Sequence, residues 1–167
     1  MKNIFKYVAV AAICTAMIGL VSCKKEDNTT SASKSYAFVY QGQTIEPNQT
    51  IDFHPTGDEV RNDFATVEFL IENKTSEELS SVMKVEKVEG PEALNDLMIC
   101  YGATCKNGSC PWVSDPFTLV PGINQNMMIK LDYFPSNVTS KTVYRVTIGK
   151  GTSMSDPQVM LINVNAQ

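Results

Sequence analysis

The sequence has little of what catalysis or cofactor binding usually requires. Its single histidine is His54, which lies between Phe53 and Pro55 and is most simply a turn residue. The chain has no Gly-x-Ser-x-Gly nucleophile elbow, no glycine-rich phosphate loop, no EF-hand and no His-x-x-x-His pair. It also has no Cys-x-x-Cys redox pair. These absences favour a protein that is not an enzyme and that carries no cofactor or metal.

Basic residues and long hydrophobic runs are also scarce. The chain has 14 basic and 18 acidic residues, and loss of Lys2 and Lys6 with a predicted signal segment leaves 12 against 18, a net charge of −6. That balance argues against nucleic-acid binding and against electrostatic docking on anionic lipid. The main apolar run, Val8 to Leu20, is shorter than the roughly 20 residues that a membrane-spanning helix needs.

The first 22 residues nevertheless have the three parts of a secretory signal, namely a basic start, the apolar run and a small-residue end. The last four positions before the polar segment, Leu20-Val21-Ser22-Cys23, resemble the lipobox of bacterial lipoproteins. The resemblance implies cleavage before Cys23 and acylation of that cysteine. The alternative is an ordinary signal peptide in which Cys23 is incidental.

The segment that follows is polar and predicts a flexible tether. We therefore divide the chain into a signal peptide at residues 1–22, a lipidated cysteine with its tether at 23–33, and a folded domain at 34–167. Lys24-Lys25-Glu26-Asp27 resembles the tract that follows the lipidated cysteine in surface-exposed lipoproteins of the Bacteroidota. The resemblance implies an outer-membrane lipoprotein on the cell surface, and the periplasmic face is the alternative.

Within the domain, apolar residues recur with a period of two rather than 3.6. The clearest example is Met127, Ile129, Leu131 and Tyr133, which alternate with Met128, Lys130 and Asp132. Eight or nine such segments are separated by Gly, Pro and Asn. They predict an all-β fold, a two-sheet antiparallel sandwich. The slip in alternation within residues 82–88 predicts a bulge or an edge strand, and a capping box at Thr75 allows a short helix.

Four segments in order along the chain carry a further resemblance. They are "FATVEFLIENKTSEEL", "PFTLVPG", "NMMIKLDYFP" and "TVYRVTIG", and together they resemble the immunoglobulin-like modules of secreted Bacteroidota proteins. The resemblance covers most of residues 60–167. It implies an immunoglobulin-like sandwich, and it implies no particular activity because fold alone does not determine function.

The cysteines form the one unusual constellation. Cys14 falls in the predicted signal peptide and Cys23 is the predicted lipid site, which leaves Cys100, Cys105 and Cys110. Either five-residue step allows a disulfide with one leftover thiol, and a three-thiolate Cu(I) or Zn(II) site is the alternative. The segment "ICYGATC" also resembles a Cys-aromatic-Gly-x-x-Cys segment of the same modules. That resemblance implies a Cys100–Cys105 bridge with Cys110 left over.

The cysteine loop also contains the candidate binding residues. Trp112 is either an exposed contact residue or is packed over the disulfide or over the sandwich end, and we predict a contact patch of Tyr101, Lys106 and Trp112. The predicted function is a lipid-anchored, non-enzymatic envelope module that binds a protein or glycan. The alternatives are a thiol- or metal-dependent accessory protein that uses the three cysteines, and a peptidase inhibitor that acts through its end loops.

Overall fold

The computed structural model describes residues 32–55, 65–92, 96–133 and 141–164. Thirteen strands lie within these ranges, and none of the helical segments found there has the length and apolar character that a membrane crossing requires. In chain order the strands are β1 (Tyr36–Tyr40), β2 (Gln43–Ile45), β3 (Thr50–Phe53), β4 (Ala65–Asn73), β5 (Leu79–Glu89), β6 (Asp96–Tyr101), β7 (Thr104–Ser109), β8 (Trp112–Val113), β9 (Phe117–Leu119), β10 (Gly122–Ile123), β11 (Ile129–Tyr133), β12 (Thr142–Lys150) and β13 (Ser155–Val164). A 3₁₀ turn spans Gln125–Met127.

The strands form two sheets. The first has the order β2-β1-β4-β11-β6-β7 with β10 beside β4, and the second has the order β3-β13-β12-β5-β8 with β9 beside β5. The four-strand set β1-β4-β11-β6 and the three-strand set β5-β12-β13 reproduce the two sheets of an immunoglobulin constant-type domain. The prediction of an immunoglobulin-like sandwich is therefore confirmed.

Strand β11 shows why the alternation in the sequence was informative. Ile129 and Leu131 are buried in the core, whereas Lys130 on the other face forms an ion pair with Glu68 at 2.8 Å. Leu131 lies directly opposite Val67 of β4, which is also buried. Residues two apart in a strand share a face, so one face of β11 enters the core and the other carries the polar side chains of Lys130 and Asp132.

One strand pair is parallel, unlike the purely antiparallel arrangement that we predicted. Strand β3 runs beside β13 in the same direction, with Ile51 opposite Ile162. The chain reverses between Glu46 and Gln49, where the Gln49 N–H donates to the Glu46 carbonyl at 3.0 Å. Because this reversal also moves the chain from the first sheet to the second, β3 joins the second sheet parallel to its neighbour.

The slip in residues 82–88 is a bulge within a central strand. The pairing of β5 with β12 shifts between Val143, which faces Glu89, and Tyr144, which faces Lys87. Val88 is therefore the extra residue, as in a β-bulge. The alternative of an edge strand is wrong because β8 and β9 pair with the other side of β5.

The core lies between the two sheets. Phe38 of β1 and Phe69 of β4 meet edge to face with ring centroids 5.6 Å apart, a favoured geometry for aromatic pairs. Tyr36 crosses from the first sheet to the second, where its hydroxyl is 2.9 Å from the Ser81 hydroxyl. Burial is the main cause of the raised pKa of Tyr36.

Candidate functional site

The two cysteines of the β6–β7 hairpin form the predicted disulfide. Cys100 and Cys105 face each other across the two strands, with their Cα atoms 4.0 Å apart and an S–S distance of 2.02 Å. The turn between the strands has two central residues, Gly102 and Ala103. Gly102 has a φ of 60°, and a positive φ at the first central position suits a type II′ turn. Among the cysteines that the structure describes, Cys110 is the free thiol.

Trp112 is buried, so the alternative in which it is packed is correct and its place in the predicted contact patch is wrong. Only 6% of its surface is exposed, and its ring meets Tyr101 edge to face at a centroid distance of 5.9 Å. A Cβ on Gly108 would lie 2.6 Å from the Trp112 Cδ1 atom. The absence of a side chain at Gly108 therefore leaves the space that the indole occupies. Tyr101 is buried as well and also packs against Phe117.

Lys106 is the one member of the predicted patch that remains at the surface. Its Nζ atom forms an ion pair with the carboxylate of Asp115. The hydrogen bond to Asp115 is the largest cause of the raised pKa of Lys106. The structure therefore separates the three predicted contact residues into a buried aromatic pair and one surface cation.

Cys110 directly follows β7, at the opposite end of that strand from the disulfide turn. It is half-buried, and a shallow cavity of about 260 Å³ beside it is lined by Glu86, Lys87, Glu92, Cys110 and Pro111. Burial raises the pKa of the Cys110 thiol, although the backbone and charge of Lys87 oppose this effect. A raised pKa keeps the thiol protonated and weakly nucleophilic at neutral pH.

The three-thiolate metal site is not formed. Two of its three sulfur atoms are joined in the disulfide, and the described ranges contain no group of three or more His, Cys, Asp or Glu residues that could hold a metal ion. His54 is exposed directly after β3, in agreement with its interpretation as a turn residue. The peptidase-inhibitor alternative stays a prediction.

The residue before the predicted domain boundary already belongs to the fold. Ser33 is buried, and its hydroxyl accepts hydrogen bonds from the backbone N–H groups of Ser35 and Tyr36 at 3.2 and 3.1 Å. Its own N–H donates to the side chain of Gln158 at 3.4 Å. Cys23 and the predicted signal peptide lie outside the described residues, so the division of the chain at residues 1–22 and 23–33 stays a prediction.

Asp156 fixes the same segment to the second sheet. Its carboxylate accepts a hydrogen bond from the Lys34 N–H at 3.1 Å. Burial opposes ionisation of Asp156, but hydrogen bonds from Ser35, from the Lys34 backbone and from Ser33 outweigh burial and lower its pKa. The start of the domain is thus attached to the start of β13.

Two buried asparagines shape the loops beside this attachment point, and sequence reasoning missed both as structural residues. Asn73 donates from Nδ2 to the carbonyls of Glu77 and Leu119 at 2.8 and 3.0 Å, and its Oδ1 accepts from the Thr75 N–H at 3.0 Å. This Asx turn replaces the short helix that the capping box at Thr75 allowed. An Asn at a strand end followed by a turn was the available signal.

Asn124 organises the neighbouring turn. Its Nδ2 donates to the carbonyls of Val120 and Gly122, both at 2.9 Å, and its Oδ1 accepts from the Val120 N–H at 3.0 Å. Every polar atom of the amide therefore bonds to the same turn. Gly122 has a φ of 88°, a conformation that glycine adopts without a side-chain clash.

Comparison with known proteins identifies a similar fold and no family. No family model matches the chain, and no curated protein matches it. Among solved structures, the N-terminal domain of PorA is similar, with a TM-score of 0.60 and 14% identity over 79% of this chain and 97% of that one. The CooA pilin subunit from enterotoxigenic Escherichia coli has a TM-score of 0.40 and 10% identity, over 80% of this chain and 99% of that one. The similarity to the PorA domain supports the sandwich fold alone.

Proposed function

We propose that the chain is a non-enzymatic module of the bacterial cell envelope, anchored to the outer membrane by lipid at Cys23 and exposed on the cell surface. The observation that carries this proposal is the lipobox-like Leu20-Val21-Ser22-Cys23, which ends ten residues before the first buried residue of the sandwich, Ser33. That spacing leaves a short polar connection between a lipid site and a folded domain. Several acyl chains on one cysteine would give stable anchoring.

The Cys100–Cys105 disulfide supports an envelope location. Disulfides persist in secreted proteins and in the bacterial periplasm and are rare in the cytosol. The bridge lies at the edge of the first sheet, where Cys105 is exposed. A cytosolic reductant would reach such a bond, so its presence favours an oxidising compartment.

A binding or structural role fits the chemistry of the candidate residues better than catalysis. Cys100 and Cys105 are joined to each other, and burial holds the pKa of the Cys110 thiol above its usual value. These features weaken the thiol- and metal-dependent alternatives. On a sandwich of this kind the loops carry binding, and we propose a protein or glycan as the ligand.

Lipidation at Cys23 is tested by mass spectrometry of the protein purified from membranes. We expect an N-terminal peptide that begins with a diacyl- or triacyl-modified Cys23, and we expect the Cys23→Ala variant to leave the membrane fraction or to remain as the precursor. Cys110→Ser is the matched control, because it removes a thiol without touching the lipobox. An unmodified Cys23, or cleavage at another position, would contradict the proposal.

A further inference from the structure

Two of the large hydrophobic residues that remain exposed in the described ranges lie in one turn. Val120 is 49% exposed and Ile123 is 46% exposed, and only Pro121 and Gly122 lie between them. The two others, Val88 and Val113, are on different strands. We refer to residues 120–123 as the apolar tip. Exposed apolar residues that occur together, unlike single ones, mark interaction surfaces.

The apolar tip is held in one conformation by the interior of the domain. Asn124 bonds to both backbone groups of Val120 and to the Gly122 carbonyl, and Asn73 bonds to the carbonyl of Leu119 directly before the tip. Both asparagines are buried. A turn that is already ordered loses little conformational freedom when it docks.

The tip also lies at the end of the sandwich where the chain leaves the domain toward Cys23. Gly122 is opposite Asn73 in the first sheet, and Asn73 is opposite Tyr36 of β1. Lys74 extends this connection, since its N–H donates to the Ser35 carbonyl at 2.9 Å and its Nζ donates to the Ser33 carbonyl at 3.0 Å. We call this end of the sandwich the N-terminal end.

The distance from Cys23 allows the tip to reach a membrane. Ser33 lies ten positions after Cys23, and ten residues span at most about 35 Å when fully extended. As a flexible polar chain they would span about 17 Å on average. Strand β13 leads from the N-terminal end to the opposite end over its ten residues, a length of roughly 33 Å. The tip is therefore far nearer to the predicted anchor than the opposite end is.

We propose that the apolar tip docks on the bilayer surface in which Cys23 is anchored, so that Val120 and Ile123 enter the interface between headgroups and acyl chains. This inference rests on the lipidation proposed above. The contact is apolar rather than electrostatic, because the exposed charges at the same end are mixed, with Lys34 and Lys74 beside Glu77 and Glu78. The partner is therefore the apolar region of the lipid bilayer and not its surface charge, and moderate salt should not release the tip.

The test uses the lipidated mature protein in vesicles of phosphatidylcholine and phosphatidylethanolamine. An environment-sensitive fluorophore is attached through Ile123→Cys in a Cys110→Ser background, and a second sample carries it through Val88→Cys, which is near the opposite end. Lipids that carry a quencher just below the headgroup should quench the probe at position 123 and leave the probe at position 88 unaffected.

Matched variants identify the role of the tip. Val120→Ser added to the Ile123→Cys protein should lower the fraction of protein whose probe is quenched by about tenfold. This is the effect expected from losing methyl groups that the docked tip would bury. Val113→Ser, which changes an equally exposed valine outside the tip, should leave quenching unchanged. Circular dichroism of each variant verifies that the sandwich is retained.

The possible failures are distinguishable. If the protein floats with the vesicles but positions 123 and 88 are quenched equally or not at all, the docking inference is wrong and the lipid anchor stands. Protection of position 123 only when an envelope protein is added would also overturn a lipid surface as the partner. If Cys23 is not acylated in the purified protein, the proposed function and this inference fail together.

Discussion

At the scale of single residues, Trp112 is the side chain with the most constrained surroundings in the cysteine loop. Its indole occupies the space above Gly108 and contacts the ring of Tyr101. Both contacts come from the first sheet, whereas Trp112 itself belongs to β8 of the second sheet. The residue that we first considered for ligand binding therefore connects the two sheets at their edge.

We expect Trp112→Ala to lower the free energy of unfolding by about 3–5 kcal/mol, as other large-to-small substitutions of buried aromatic residues do. Lys106→Ala is the control, and it should leave the free energy of unfolding nearly unchanged because an exposed ion pair contributes little. Urea denaturation followed by circular dichroism measures both. A Trp112→Ala protein with unchanged stability would contradict the structural role.

The burial of Trp112 could not be derived from the sequence because it depends on which strand crosses beside it. The alternation pattern assigns a face only where a strand is several residues long, and β8 has two residues. The open position above Gly108 arises from the pairing of β6 with β7, which brings Gly108 opposite Leu97. Such a position is visible only after strands from both sheets have been placed.

At the scale of elements, the β6–β7 hairpin combines a tight turn with a covalent bridge at the edge of the first sheet. On its other side β6 pairs with β11, but β7 has β6 as its one partner in the sheet order. The strand has a polar sequence, TCKNGS, and places few side chains in the core. Its attachment to the fold therefore depends on the backbone ladder and on the disulfide.

Replacing both bridge cysteines, as Cys100→Ser with Cys105→Ser, should lower the free energy of unfolding by about 2 kcal/mol, the value expected for closing so short a loop. The loss should be concentrated in β7. Amide hydrogen exchange should become faster there while β12 and β13 keep their protection. Cys110→Ser is the comparison for loss of a thiol outside the bridge. Uniformly faster exchange in all strands would show that the bridge supports the whole sandwich instead.

The core-facing side of long strands with one solvent-exposed face could be predicted from the sequence. The positions of short strands, and of strands with unexpected neighbours, could not. In β4 and β11 the alternation correctly identified the core face. Val67 and Leu131 are buried, whereas the neighbouring residues Glu68 and Lys130 are not. The parallel position of β3 was not predictable, because it follows from the direction in which the chain turns at Glu46–Gln49. The bulge at Val88 was visible as a slip in the pattern, but the position of β5 inside its sheet was not.

At the scale of the whole molecule, the first and last described strands are fastened together at the N-terminal end. The carboxylate of Asp156 accepts a hydrogen bond from the Lys34 N–H, and the side chain of Gln158 accepts one from the Ser33 N–H. These contacts join residues more than 120 positions apart in sequence. They therefore connect the segment that precedes β1 with the start of β13 in the second sheet.

The stability of the domain should fall on acidification in part because of Asp156. Folding lowers the pKa of this carboxyl below its ordinary value of 3.8, so the folded state binds the proton less readily than the unfolded state. The stabilising contribution of the ionised Asp156 is therefore complete at pH values above the ordinary pKa. It is lost as the pH falls through that pKa and then through the lower pKa of the folded state. Asp156→Asn should flatten the pH dependence of the unfolding midpoint between about pH 5 and pH 2. Asp115→Asn is the control, and an equal flattening in both variants would contradict the assignment.

The direction of β1 has a mechanical consequence. The strand begins at the N-terminal end and runs away from it between β2 and β4, with Tyr36 opposite Asn73 and Val39 opposite Leu70. A pull transmitted from Cys23 along the sandwich would load the β1–β4 ladder lengthwise, and the hydrogen bonds of an antiparallel pair lie across that direction. Several bonds then share the force and must break together, whereas a sideways pull would open them one after another. With the anchor proposed at Cys23 and a partner bound at the opposite end, β1 would thus be loaded in shear, and its ladder hydrogen bonds would resist the tension together.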